Sequence, residues 1–261
     1  MRSFLISAAA LLAVAAPGVA SAQSGYVGAA YNNSSVDLGG PSTDFDGVGI
    51  DGVVAFDANA LGVQLGARYA NFEADGGGDL DGYGLDGHVF TRNGAWQLGV
   101  GAGYTNLDAG AGDTDEWALA LEGLYFMDRT TLGAALSYGQ SDGLGSDLDT
   151  IALDVEARYF VTDNFRIDGT VGFGQVDAGG GSDGDLTSLG VGAEYQLATV
   201  PVSFFGAYTN SNLDVGGGDL DTDSFSVGAR WNFGGTTLMD RDRSGANNRS
   251  VRGGLSRLFG L

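Results

Sequence analysis

The 261-residue sequence has no cysteine and no lysine, one histidine (His88) and three prolines. Without cysteine, disulfide scaffolds, thiolate zinc sites and cysteine nucleophiles are excluded, and a single histidine supports no histidine-rich metal site. Arginine is the only side chain with a permanent positive charge, and twelve of them face 33 acids for a net charge of −21. Such a balance argues against a nucleic-acid partner, because binding one requires neutralising phosphates. Beyond residue 22 no segment approaches the roughly 18 consecutive apolar residues of a membrane helix. Glycine is abundant, at 47 residues, yet there is no G-X-Y period and little proline, so the chain is not collagen-like. An apolar content of 43% with 10% aromatics is too high for a disordered acidic chain. What remains is an acidic, glycine-rich β protein with enough residues to enclose a sizeable interior.

Met1–Ala22 has the organisation of a secretory leader. Arg2 provides the charged start, Phe4 to Ala16 the apolar stretch, and Ala20-Ser21-Ala22 a small-x-small cleavage site. The chain therefore divides into a leader at 1–22, a β body at 23–233 and an arginine-rich tail at 234–261.

The body repeats one pattern: about ten residues of period-two alternation, then a turn. Twelve segments are expected, near 25–34, 45–57, 60–72, 80–91, 94–106, 114–127, 130–140, 148–161, 164–176, 185–197, 200–210 and 222–233. Short connections such as Arg92-Asn93-Gly94 and Thr162-Asp163-Asn164 alternate with Gly- and Asp-rich ones of about ten to fourteen residues. Short and long connections alternating around an even number of strands imply antiparallel up-and-down hairpins, with every long loop at one end. A soluble sandwich shares this alternation. The aromatic spacing separates the two. Trp96/Tyr104, Trp117/Tyr125, Phe165/Phe173 and Phe225/Phe233 lie eight residues apart on the apolar face. Eight residues rise roughly 26 Å along a strand, or about 20 Å along the membrane normal at a tilt of about 40°, which with the width of the aromatics added approaches the apolar band of about 25 Å between the aromatic girdles of outer-membrane barrels. The expected fold is all-β, a transmembrane antiparallel up-and-down barrel of about twelve strands.

With the leader, the Gly-Asp loops and the closing strand Phe225-Ser-Val-Gly-Ala-Arg-Trp-Asn-Phe233, the sequence resembles the small porin-type barrels of Gram-negative, in particular alphaproteobacterial, outer membranes. The resemblance covers 23–233, about four-fifths of the chain. It implies an outer-membrane location, contact with lipid and lipopolysaccharide, and recognition of the last strand by the barrel-assembly machinery. The sequence departs from the pattern in two ways: general porins have about 16 strands, and here 28 residues follow Phe233.

By strand parity the inward face carries Asp51, Gln64, Arg68, Asp86, His88, Gln97, Glu122, Asp154, Glu156, Arg158, Arg166, Asp168, Glu194, Gln196 and Arg230. Inward charges demand water or a closed set of ion pairs. The glycines between them, such as Gly99, Gly101, Gly172, Gly174, Gly190 and Gly192, leave space that favours water. These fifteen residues are the expected pore lining. An acidic mouth is expected from the long loops, with Asp79, Asp81, Asp113, Asp115, Glu116, Asp147, Asp149, Asp183, Asp185, Asp219, Asp221 and Asp223; its field would concentrate cations. The triplets Asp-Leu-Asp at 79–81, 147–149 and 219–221 raise a calcium hypothesis, but EF-hand spacing is absent and the run Gly179 to Thr187 fits no tandem calcium repeat. No cofactor is expected, apart from loose divalent bridging between the acidic loops and lipopolysaccharide phosphates.

Asp86 and His88 share a face two residues apart, the spacing of a carboxylate–histidine pair, yet His88 lies towards the short-turn end of its strand and no serine is marked near it, so no enzyme is expected. In the tail, Arg241, Arg243, Arg249, Arg252 and Arg257 against Asp240 and Asp242 give +3. The tail reads as a disordered periplasmic extension, with Val251, Leu255, Leu258 and Phe259 spaced for one amphipathic turn. Entry of this basic strip into the acidic lumen is the sharper alternative. The functional expectation is a passive, cation-preferring pore for small hydrophilic solutes. The alternative is a non-conducting structural or adhesive barrel acting through its outer loops.

Overall fold

Alternation of apolar with polar or small side chains over a dozen residues stabilises a strand only if its two faces meet different surroundings, and a closed barrel supplies both. In the computed structural model, which describes residues 24–58, 61–110, 112–142, 147–177, 183–215 and 218–258, twelve strands form one closed antiparallel barrel. They are β1 (Ser24–Asp37), β2 (Thr43–Ala58), β3 (Leu61–Ala74), β4 (Asp79–Asn93), β5 (Trp96–Asp108), β6 (Asp113–Phe126), β7 (Thr130–Asp142), β8 (Leu148–Thr162), β9 (Phe165–Asp177), β10 (Asp183–Gln196), β11 (Val202–Val215) and β12 (Gly218–Phe233). Each strand pairs with its sequence neighbour, and β1 closes the ring against β12 with Gly25 opposite Phe233. Closure removes the unpaired edges that an open sheet would expose. The leader and Phe259 lie outside the described residues, as does part of the Gly179–Thr187 run.

The exterior is apolar. Leu98, Val100, Leu119, Leu121, Leu136, Val155, Val191 and Phe204 are all exposed on it. Aromatic contacts between neighbouring strands reinforce the girdles, with Trp96 on Tyr125 at one level and Trp117 on Tyr138 at the other. Among the described residues no helix is long and apolar enough to cross a membrane; the strands do so.

The long loops are shorter than the sequence suggests, because the strands run on into the Gly- and Asp-rich segments. Only residues 75–78 separate β3 from β4, and only 109–112 separate β5 from β6. Alternation persists there. In each Asp-Leu-Asp triplet the leucine turns inward and the aspartates do not. Leu80 joins Phe45, Ala70, Phe72 and Leu107 in one apolar cluster, while Leu148, Leu213 and Leu220 join Val176 and Leu186 in another.

The outward aspartates just beyond the band make a repeated clasp. Tyr69 and Asn71 donate to Asp81 at 2.6 and 3.0 Å, and Tyr104 and Asn106 to Asp115 at 2.6 and 2.9 Å. Tyr31 and Asn33 hold Asp46 in the same way, Tyr208 and Asn210 hold Asp223, and Tyr138 donates to Asp149. In every case the Asn or Gln stands directly opposite the aspartate in the ladder. A one-residue slip would break each clasp and turn every side chain to the wrong face, so the clasps pin the register.

Residues 234–258 do not hang outside the barrel. After Phe233, helix α1 (Leu238–Ser244) lies across the short-turn end, capped by Thr237. The chain then climbs the lumen to helix α2 (Gly254–Leu258) at the loop end. Wall glycines make the passage. A Cβ on Gly103 would sit 2.3 Å from the Val251 carbonyl oxygen, and one on Gly139 2.9 Å from the Gly253 Cα. The space these glycines leave is therefore occupied by backbone, not by a water column. Replacing Gly103 by valine should leave the barrel folded but expel the segment. Trypsin should then cut at Arg249, Arg252 and Arg257 in detergent micelles, while the unheated electrophoretic mobility of the barrel stays unchanged.

Candidate functional site

All fifteen side chains assigned inward by parity meet the lumen, and most of them hold the C-terminal segment. At the short-turn end, Gln64 accepts from the Asn247 and Asn248 amides at 2.9 and 3.1 Å and donates to the Asn248 carbonyl at 2.8 Å. Gln97 donates to both asparagine side chains, and Gln196 donates to the Thr236 carbonyl at 3.0 Å. Arg92, absent from the parity assignment, donates to the Ser244 and Gly245 carbonyls.

The middle of the lumen is built from ion pairs. Glu194, 1% exposed, receives Arg241 of α1 at 2.9 Å and the wall residues Arg166 and Arg230, each at 3.2 Å. Arg158 bridges Glu156 and Asp242 at 2.6 Å to each. Arg249 reaches Glu156 at 2.7 Å and Asp168 at 3.3 Å, and Arg257 reaches Asp154 at 2.6 Å. Asp51 lies 3.7 Å from Arg230. Asp86 holds Arg68 at 3.0 Å and His88 Nε2 at 3.2 Å, and His88 Nδ1 meets Glu122 at 2.8 Å. Each ring nitrogen has a carboxylate partner. The Asp86–His88 pair is thus consumed in a buried network rather than facing an open cleft.

Glu116 is a correction. The sequence reading placed it in the acidic mouth, but it points inward and is 1% exposed. Its carboxylate accepts from the Gly253, Leu255 and Ser256 amides, from Ser141, and from the Ser256 hydroxyl. A carboxylate collecting several backbone N–H groups needs no cationic partner. Above it, α2 places Leu255 and Leu258 against the inward leucines. The rest of the expected mouth faces away from the lumen. Asp79, Asp113, Asp147, Asp183, Asp185, Asp219 and Asp221 are exposed at the rim, and Asp81, Asp115, Asp149 and Asp223 sit in the outer clasps. Among the described residues no group of three carboxylates or histidines is disposed to hold a metal ion.

Beside the segment a cavity of about 480 Å³ remains, lined by wall residues such as Tyr26, Asp51, Arg68, Asp168 and Arg230 and by Asn248, Arg252 and Arg257 of the segment. The lumen of a closed apolar-skinned barrel, filled by its own polar C-terminus, now stands beside the sequence evidence. A model of the outer membrane protein beta-barrel domain matches residues 91–233, more than half of the chain. The chain belongs to this family of outer-membrane β-barrels. It resides in the outer membrane. No curated protein sequence matches it. Among solved structures it is similar to an outer-membrane channel of Pseudomonas putida F1, at 10% identity and a TM-score of 0.59, covering 80% of this chain and 95% of that one. It is also similar to the translocator domain of the autotransporter NalP from Neisseria meningitidis, at 12% identity and a TM-score of 0.54, covering 88% and 95%. The β domain of the Bordetella autotransporter BrkA matches at 16% identity and a TM-score of 0.51, covering 80% and 100%. At these identities the likenesses establish the barrel fold alone.

Glu194 has the largest number of cationic partners. Replacing it by glutamine strands Arg166, Arg230 and Arg241 together, and removing one partner from a buried network costs on the order of 3 kcal/mol. The variant's urea midpoint in detergent should fall accordingly, whereas Asp147→Asn, exposed at the rim and outside the ladder, should leave it unchanged.

Proposed function

We propose that the protein is a passive outer-membrane pore for small hydrophilic solutes and ions, restricted by its own C-terminal segment and performing no chemistry. The observation that carries this reading is charge complementarity. The wall turns Asp51, Asp86, Glu116, Glu122, Asp154, Glu156, Asp168 and Glu194 inward against Arg68, Arg92, Arg158, Arg166 and Arg230. The segment brings a surplus of three positive charges to that excess of carboxylates. With the segment displaced, the lumen is wide, polar and negative, and such a lumen favours cations. Twelve strands lie between the eight that side chains fill and the sixteen that enclose a channel, a size at which a single added peptide decides between open and closed. Cation preference in this reading comes from the wall and not from the rim, whose acids point away.

The rim fits a second, compatible part of the same reading. Asp108 stands opposite Asp113, Asp149 opposite Asp177, and Asp185 opposite Asp214, and like charges directly opposed destabilise a ladder. Divalent cations bridging them loosely to lipopolysaccharide phosphates would relieve that repulsion. Millimolar magnesium should therefore raise the melting temperature in detergent, and an equal ionic strength of sodium chloride should raise it less.

Single-channel recording in a planar bilayer under a potassium chloride gradient tests the pore. The full chain should show small or rare openings, and a chain ending at Gly235 larger ones with a cation-biased reversal potential. Equal conductance from the two would remove the segment's role, and a chloride bias would overturn the selectivity. Silence from both folded proteins would favour the non-conducting barrel, for which the inward leucine closure at the loop end is the supporting feature.

A further inference from the structure

The hydrogen-bond inventory of the cavity is unbalanced. The carboxylates on its wall are each answered by an arginine, by His88, or by both. The unanswered groups are donors. The buried Nε atoms of Arg68, Arg230, Arg252 and Arg257 and the Nδ2 of Asn248 have no hydrogen-bond partner among the described residues, and all five residues line the same cavity. Arg252 goes furthest, making no ion pair or hydrogen bond among the described residues. Its strongest electrostatic neighbours are Arg68, Arg249 and Arg257, with Asp86 opposing them.

Arg252 is half-buried with its Nε out of reach of solvent, and holding its guanidinium beside three others is unfavourable unless something nearby supplies negative charge. Asp86 is already taken by Arg68 and His88, and the carboxylates beside the cationic neighbours of Arg252 are taken too, Asp154 by Arg257 and Glu156 by Arg158 and Arg249. A guanidinium fork with unmet N–H groups matches the paired oxygens of a phosphate, sulfate or carboxylate. About 480 Å³ is ample space for one.

We infer that this luminal cavity is a binding site for a small oxyanion, held by Arg252 with Arg68 and Arg257. The site exists only while the segment is in place, since Arg252 and Arg257 belong to the segment and Arg68 to the wall. An oxyanion there links the two and locks the closed arrangement. Binding requires no flow through the barrel, so the inference stands or falls separately from conduction.

The test is isothermal titration of the purified full chain in detergent with sodium sulfate and with sodium phosphate, at ionic strength held constant with sodium chloride. One saturable site per barrel is expected, with both anions also raising the melting temperature. Arg252→Gln should weaken binding roughly tenfold or more and abolish that thermal response. Arg252→Lys keeps the charge without the fork and should fall between. Arg243→Gln, which changes an arginine at the short-turn rim outside the cavity, should bind as the parent does. Absence of saturable heat from the parent would overturn the inference, as would Arg252→Gln binding with parental affinity; the first result would mean that solvent satisfies these donors. Since Arg252→Gln also removes a like-charge contact, it should melt no lower than the parent in sulfate-free buffer, which guards against a variant that merely misfolds.

Discussion

A barrel this wide cannot leave charged groups on its inner face without partners, and the rest of the molecule follows from how that requirement is met. An eight-stranded barrel fills its interior with its own side chains. Twelve strands carrying glycine at many inward positions leave too much room for that. The deficit is met by a length of polypeptide whose charge is opposite to that of the wall. Glu194 shows the consequence in one residue: two of its arginines come from the wall and the third, Arg241, from α1. Removing the segment would leave those carboxylates to water. Removing the carboxylates would leave the segment with nothing to hold it.

The inner glycines and the leucine triplets belong to the same solution. Gly101 and Gly103 are where the segment's backbone passes the wall, because Val251 lies where their side chains would be. The leucines of the Asp-Leu-Asp triplets close the loop end around α2, and the flanking aspartates keep the outer face of the same strands polar. One period-two pattern thus seals the inside and solvates the outside. The outer Tyr–Asp clasps then hold each hairpin in the register that keeps the leucines inward.

The barrel was legible in the sequence because its signals are local. Alternation gives the strands, eight-residue aromatic spacing gives the band, and alternating connection lengths give the hairpins. Parity then places Glu194, Arg158 and the other lumen residues without any knowledge of contacts. The same rule applied to residues 113–116 would have turned Glu116 inward, and applied to 79–81 would have separated Leu80 from its aspartates. Clusters of Gly and Asp mark turns by composition, and that competing signal broke the alternation where the strands in fact continue. The course of the tail was less accessible. Its positive charge and the spacing of Val251, Leu255 and Leu258 were visible, but its position depends on pairings more than eighty residues away in sequence, such as Arg158 with Asp242 and Arg249 with Glu156. Glycine and asparagine interruptions read as disorder when the wall they fit against is unknown.

Two kinds of seal hold the segment, and their order along the chain constrains how it could leave. Its covalent root is at the short-turn end, where α1 is fixed by Arg158–Asp242 and Arg241–Glu194. Its far end is clasped by leucines at the loop end. In the proposed opening, release towards the short-turn end would draw Leu255 and Leu258 past the ion-paired middle. Buried pairs are poorly screened by salt, and an ion pair is a weak net stabiliser against water but costly to break one partner at a time. Solvated stepwise exchange, with wall carboxylates passing from Arg249 to Arg257 as the chain slides, avoids that cost. Arg249 and Arg257, spaced along one climbing segment and facing Asp154, Glu156 and Asp168 on adjacent strands β8 and β9, provide the successive partners such a path requires.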